Sequence, residues 1–548
     1  MARRQPLILI FQWHMHQPLY KDAVSGRYLL PWVRLHCTKD YTDMAWHLER
    51  YPEVKGVINF VPSLLKQIRE YTDFASVDER FLHLTQKPAA DLSAEDQQFV
   101  LRHFFQGNQK GMVDVSRRYS RLLDMRGTDP SEEELEAARS QYTHQDFLDL
   151  QMWFLLAWTG EELQEEPEVV QLIAKDRNFT EQEKQRLLNL HQQAIRDLLG
   201  RYRKLQESEQ IEITGSPYTH PILPLLLDSE VARISMPDAE LPFHRFSYPK
   251  EAEKQITRAL QTFRDELGWE IQGMWPSEGA VSEAAVSLMR KYGIRYITTD
   301  SNILARTFSR SAEPARLAPE QKYKPYSFPT QNGELAIFAR DQQLSDCIGF
   351  QYGGMEPAEA VEDFVSRLYR IDDSLPDDNY PYVVVITMDG ENAWEYYPRN
   401  GRLFFEKLYG RLAEDHQIRT TTFSEHLERT KELGDLDWIY PGSWIQSDFH
   451  YWIGDPVKNA AWDRLHRTLQ QAQRHQDDGG TLSEQAEQAL LQAEGSDWFW
   501  WYGNPNHSVY DYIFDQLFCD ALRRVHTEIE AELPEMFQDN VPGSPQSR

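Results

Sequence analysis

Apolar runs with strand character recur along the chain, and each one ends in polar, chemistry-bearing residues. They read LILIFQWHMH (7–16), VKGVINFVPS (54–63), IEITGSPYTH (211–220), WEIQGMWPSEG (269–279), IRYITTDS (294–301), LAIFARDQQLSD (335–346), YVVVITMDGENAW (382–394) and IRTTTFSEHL (418–427). Between most of them the apolar positions switch to helical spacing, as in PKEAEKQITRALQTFRDEL (249–267) and PAEAVEDFVSRLYRI (357–371). Strands alternating with helices predict parallel β/α units. Apolar strands carrying functional groups at their C-terminal ends predict a barrel whose site lies on that rim.

Two regions break the rhythm. Residues 64–205 are helix-rich and charged and predict a helical insertion after the second strand. After about residue 430 the strands are expected to stop, with helices over 459–476 and 483–503. The predicted organisation is a catalytic barrel over 1–429, including that insertion, and a C-terminal helical domain over 430–548 that completes the cleft. In HPILPLLL (220–227), Pro221 and Pro224 are expected to interrupt any regular helix, and the tail 541–548 is expected to fray.

Composition narrows the function. The 548 residues are 41% hydrophobic, which suits a globular chain with a large core. With 58 basic against 86 acidic residues, the net charge of −28 argues against nucleic acid and for a neutral substrate. The aromatic share of 12% suits sugar-ring faces, but also an ordinary core. Cys37, Cys347 and Cys519 are widely spaced and odd in number, which predicts neither a disulfide framework nor a cysteine zinc motif. Leu7–Phe11 is too short for a signal-peptide core, and no apolar run reaches membrane-span length. The expectation is a soluble, cytoplasmic protein without a membrane partner.

The candidate chemistry sits at strand ends. His14 and His16 are two apart, so on a strand they share a face, and Pro18 should stop pairing just beyond them. Glu278 follows one strand, beside Trp275; Asp389 ends the most apolar strand, with Trp394 close by. Singly, Asp389 also fits a helix cap and Glu278 a surface loop. Together, two carboxylates in an aromatic setting fit glycosidic bond cleavage, in which one acid protonates the leaving oxygen while the other attacks or activates water. His-x-His also fits a zinc pair, with Asp389, Asp300 or His220 as a third ligand.

These motifs, taken with IEITGSPYTHPILPLL and AEGSDWFWWYG (493–503), resemble the five ordered sequence regions of glycoside hydrolase family 57 over residues 8 to about 503. WPSEG and SDWFWWYG look most like the α-amylase and amylopullulanase branch. The resemblance implies an α/β fold, a distorted (β/α)7 barrel, and retaining double displacement on α-glucans without a metal or other cofactor. It implies Glu278 as nucleophile and Asp389 as acid/base. His14, His16 and Gln17 match the first region, Glu212 and His220 the second, and Asp497 and Trp498 the fifth. Trp275, Arg340, Trp394, Trp444, Trp452 and Trp462 are expected among the substrate contacts, each with a packing or ion-pair role as the alternative. The main expectation is hydrolysis. Glucanotransfer or branching on the same fold, a metal-dependent deacetylase or mannosidase-like barrel, and a non-catalytic glucan binder are the alternatives.

Overall fold

The computed structural model describes residues 5–391, 393–430, 432–531, 540–541 and 543. Most of the expected frayed tail (541–548) lies outside the described residues. The strands are β1 (Leu7–Met15), β2 (Gly56–Phe60), β3 (Ile211–Gly215), β4 (Gly273–Met274), β5 (Tyr296–Asp300), β6 (Tyr326–Thr330), β7 (Gly333–Arg340), β8 (Val383–Asp389), β9 (Ile418–Thr420) and β10 (Gly434–Asp435). Seven of them run parallel in the order β1-β2-β3-β4-β5-β7-β8, and β8 returns to β1, closing a distorted seven-stranded barrel.

The distortion has two seams. β3 and β4 share only the pair Gly215↔Met274, and β7 meets β8 only at Arg340↔Val385. β4 is short because the chain turns away at Trp275-Pro276, and Pro276 has no N–H for a ladder. β6 and β7 form an antiparallel hairpin outside the ring, and β10 adds to β6. Strands therefore do not stop at 430, because Gly434 and Asp435 still find a free edge.

β1 is buried along its whole length, and its alternation sorts the two faces. Leu7, Leu9, Phe11, Trp13 and Met15 pack against the surrounding helices. Ile8 and Ile10 join Val57, Tyr296, Phe338, Val383, Val385 and Phe423 inside the barrel. Continuing the same inward series gives Gln12 and His14 on β1, Thr387 and Asp389 on β8, and Arg340 on β7. Apart from Glu212 on β3, the interior thus changes from hydrocarbon at the N-terminal end to hydrogen-bonded polar groups at the other. In the middle layer Thr387 Oγ1 donates to Gln12 Oε1 at 3.2 Å, and Asn59 Nδ2 donates to Thr214 Oγ1 at 3.1 Å.

Between β2 and β3 the chain is helical, ending in the 27-residue helix Glu181–Glu207, which starts at a Thr180/Glu183 capping box. The helix Pro249–Leu267 matches its predicted span and stops at left-handed Gly268. Only a short helix, Leu223–Leu227, forms around Pro224, which sits in its first turn, where a missing N–H is harmless. The helix expected over 483–503 is two, Glu484–Ala493 and Ser496–Trp501. They break at Gly495, where a Cβ would lie 2.8 Å from the Thr219 carbonyl oxygen. No helix among the described residues is long and apolar enough to cross a membrane.

Candidate active site

A cleft of about 910 Å³ opens at the C-terminal rim of the barrel. Its floor holds His14, His16, Gln17, Glu278 and Asp389, and its walls include Arg340, Trp444, Trp452 and Asp497.

Glu278 is set by a strained turn. It adopts φ 58°, ψ 24°, and Gly279 follows at φ 59°. A left-handed non-glycine residue costs about 1–2 kcal/mol and persists only when its surroundings enforce it. Here Trp444 does so twice: its backbone N–H donates to the Glu278 carbonyl at 2.9 Å and its indole N–H to Oε2 at 2.8 Å. Thr299 Oγ1 donates to the Gly279 carbonyl at 2.8 Å. Gly279 is obligatory, since a Cβ would lie 2.8 Å from the Trp275 ring. Burial pushes the Glu278 carboxyl up to about 7, the Trp444 bond opposes this, and the charge of Asp389 adds to it.

Three imidazoles stack beside it. His14 and His220 have ring centroids 5.1 Å apart, and His16 and His220 4.0 Å. Asn59 Oδ1 accepts from Ser216 Oγ at 3.1 Å and lies 2.7 Å from His14 Nδ1. Since Asn59 Nδ2 already donates to Thr214, this network assigns the His14 proton to Nδ1 and leaves a lone pair on Nε2. Burial, helped by His16, lowers His14 to about 3, so it is neutral. Burial also pulls on His16, yet Asp497 at 2.7 Å, with Glu278 and Asp389, raises it above its ordinary value. His220, at φ 61°, lies 3.7 Å from Glu278 Oε1 through Nδ1, and burial and its two histidine neighbours keep it neutral.

Beside Asp389, Glu391 is a further carboxyl in the cleft, one that no motif in the sequence singles out. Its Oε1 accepts from the His16 backbone N–H at 3.1 Å and from Gln17 Nε2 at 3.3 Å, while Tyr20 OH donates to Gln17 Oε1 at 2.8 Å. Burial and then the charge of Asp389 push its carboxyl well above the usual carboxylate range. Arg340 lines the wall, but its guanidinium is spent on Thr387 O at 3.0 Å, Asp300 at 3.0 Å and Asp346 at 2.8 Å. Its remaining contact is the Trp444 ring face, 4.9 Å away, where it steadies the indole that holds Glu278.

Six expected sugar contacts do not line the cleft: Glu212, His220, Trp275, Trp394, Trp462 and Trp498. Glu212 is the second residue of β3, three positions before the rim, so its inward carboxylate points to the opposite end of the barrel. There it bonds the Tyr296 hydroxyl and accepts from Ser424 N at 2.9 Å. Trp394 packs on Trp13 and Phe405, with its N–H on Gly390 O at 2.9 Å. Trp462 stacks on Phe499 at 4.3 Å, and Trp498 donates to Gln492 O at 2.7 Å. Each indole has found a buried carbonyl or ring, and none reaches the cleft. Trp275 is fully buried behind Trp444, 5.2 Å from it. The aromatic walls come instead from Trp32, Trp500, Trp501 and Tyr510, with Phe350 (83% exposed) and Val509 (75% exposed) at the mouth.

His16, His220 and Asp497 offer ligand atoms within 4.8 Å of one another, a grouping that differs from the His14/His16 pair suggested by spacing. His16 Nε2 and Asp497 Oδ1 are 2.7 Å apart. That is a direct hydrogen bond, tighter than two ligands sharing a cation held at about 2.0–2.2 Å from each.

One consequence is testable. Trp444→Phe keeps the ring but removes the N–H on Glu278 Oε2. A hydrogen bond to a charged group is worth about 1.5–3 kcal/mol. The acid limb of the pH–rate profile should move up by about one unit or more, and activity near neutrality should fall about tenfold or more. An unmoved limb would show that Trp444 does not tune this carboxyl.

The profile of glycosyl hydrolase family 57 matches residues 10–437. An α-amylase from Pyrococcus furiosus is 25% identical over 194 residues, 34% of this chain and 26% of that protein. A 4-α-glucanotransferase from Thermococcus kodakarensis is likewise 25% identical over 194 residues, with the same coverage of 34% and 26%. The chain thus spans about a quarter of the length of these curated relatives. Among solved structures, a branching enzyme of this family from Thermococcus kodakaraensis superposes with a TM-score of 0.58 at 16% identity, covering 95% of this chain and 88% of that one. An α-amylase from Thermotoga maritima superposes at 0.56 with 15% identity, covering 97% and 96%. With a family profile running across the barrel and shared architecture along nearly the whole chain, this protein belongs to glycosyl hydrolase family 57.

Proposed function

We propose that the protein acts on α-glucans by retaining double displacement and passes the glycosyl unit to a sugar hydroxyl in preference to water, as a 4-α-glucanotransferase or branching enzyme does. The observation that carries the chemistry is Glu278. It is half-buried, pinned by Trp444 in a left-handed turn, and close enough to Asp389 on the cleft floor for the two charges to interact.

Trp444 occupies Oε2, so Oε1 is the atom left to attack the anomeric carbon. Asp389 delivers a proton to the departing oxygen and the glycosidic bond breaks. Once Glu278 is esterified its charge is gone, and Asp389 ionises more readily. It then takes the proton of the incoming hydroxyl, whose oxygen displaces Glu278 as carboxylate. The His14 Nε2 lone pair suits a sugar hydroxyl beside the reacting carbon, and His16, whose proton Asp497, Glu278 and Asp389 hold more tightly than usual, stands against both acids.

Transfer over hydrolysis is supported by the cleft walls. Trp32, Trp500, Trp501 and Tyr510, with the exposed ring of Phe350 at the mouth, add aromatic faces on which the sugar rings of an acceptor chain can stack. The curated relatives include α-amylases and 4-α-glucanotransferases at equal identity, so hydrolysis is the second reading. Chain-length profiles and reducing ends followed together on short amylose separate them. Redistributed chain lengths with few new reducing ends are expected. Reducing ends rising in step with chain loss would favour hydrolysis, and an unchanged profile would rule α-glucan out.

A further inference from the structure

A second chamber of about 330 Å³ branches from the cleft, with Trp32, His36 and Glu391 lining both. We propose that this side chamber is the acceptor subsite, seating the sugar whose hydroxyl takes the glycosyl unit from Glu278. The inference rests on the double displacement proposed above.

Its chemistry selects a neutral polyol. Trp158 forms one wall, tilted against Trp32 with centroids 5.7 Å apart. Tyr396 stands 65% exposed at the rim, with most of its ring open to solvent. Glu395 and the paired His36 and Asp40, 2.6 Å apart, supply hydrogen-bonding groups. The cation lining the chamber, Lys39, is committed to Asp40 at 2.8 Å and to Asn400. A phosphate or carboxylate ligand would therefore meet carboxylates and no free positive charge, whereas sugar hydroxyls and ring faces find matching partners.

Its position suits the second half of the reaction. The chamber meets the cleft at Glu391, two residues beyond Asp389. An acceptor hydroxyl reaching the cleft there arrives beside the group that must remove its proton. Its oxygen bonds to the anomeric carbon, the bond to Glu278 breaks, the electron pair returns to that carboxylate, and Asp389 keeps the proton. The helical insertion builds the outer wall: Asn108 N donates to Glu395 Oε2 at 3.1 Å, and Gly111 is so close to the Glu395 carbonyl oxygen that a Cβ would lie 2.5 Å from it.

The test uses α-maltosyl fluoride as donor and maltotriose tagged at its reducing end with a fluorophore as acceptor, with the full-length enzyme. Fluoride release reports formation of the glycosyl-enzyme, and tagged product reports transfer. Tyr396→Ala changes an exposed side chain, and Glu395→Gln keeps an oxygen for the Asn108 N–H, so both should fold. The acceptor concentration giving half-maximal transfer, with each variant normalised to its own fluoride release, should rise about tenfold in Tyr396→Ala and by a smaller factor in Glu395→Gln. An unchanged value in both variants overturns the inference. So does a wild-type enzyme that releases fluoride but makes no tagged product, which leaves the retaining chemistry standing. No fluoride release, together with untouched amylose, removes the α-glucan reading and this inference with it.

Discussion

Glu278→Gln should lose about 10⁴–10⁶-fold in turnover on amylose, the scale of removing a nucleophile from a concerted catalytic unit, and the same variant should be harder to unfold in alkaline buffer. Both effects come from one half-buried carboxyl. Its pKa is raised by burial from 4.5 to about 7, so the folded protein holds that proton more tightly than the unfolded chain does. Its contribution to stability is therefore complete below about pH 4.5 and is lost as the pH climbs through about 7. The difference corresponds to about 3 kcal/mol at most, since a carboxyl that still shows 18% of its side chain to cleft water is partly solvated. Glutamine carries no charge to desolvate. Thermal melts of both proteins from about pH 4 to pH 9 should start together and separate as the wild type falls. Coincident melts at every pH would mean that the carboxyl is not strained by burial. Glu278→Ala in azide adds a test of role, because azide attacking from the vacated side gives a product of inverted configuration.

Asp389→Ala should fail differently. On amylose, whose leaving oxygen needs a proton, the loss should be about 10²–10⁴-fold. On α-maltosyl fluoride the leaving group departs unprotonated, so the first step survives and the glycosyl-enzyme accumulates. Azide should then release a product of retained configuration, since it replaces the acceptor and not Glu278. Inverted product from Asp389→Ala would exchange the two assignments, and equal losses on both donors would remove Asp389 from proton transfer.

The barrel was legible because its strands carry near-continuous apolar runs and their polar residues gather at one end. The same rule, applied strictly, sets Glu212 aside: the second position of a five-residue strand lies far from the rim on which Gly215 sits. The β6–β7 hairpin had a signal too, in Asn332-Gly333 between two strand-like runs, a pair suited to positive φ, and Gly333 adopts φ 102°. The aromatics were harder, because an indole that stacks on sugar and one that fills a core look alike in sequence. For DWFWW the helical period separates them. Ser496 and Trp500 are four apart, as are Asp497 and Trp501, and these four line the cleft, while Trp498 and Phe499 turn inward. Glu391 was hidden by its neighbour: only the fold shows that its carboxyl reaches back to the His16 backbone. Trp32 and His36 come from the short helix Trp32–Cys37 and Tyr510 from the start of the distant helix Asp511–Glu528, and no local pattern connects them.

The His16–Asp497 bond joins residues 481 positions apart. A chain emerging from the ribosome at about 5–20 residues per second takes roughly 25–95 s between making the first partner and the second. The strands are made during that interval and are complete once Asp435 has been added, yet until Asp497 follows His16 lacks its carboxylate partner and the cleft lacks the wall carrying Trp500 and Trp501. Nascent protein is thus a scaffold with its acids in place and its histidine unpaired. Competence arrives late and in one step, so a chain cut short before Ser496 is expected to accumulate as inert protein, not as a less selective enzyme.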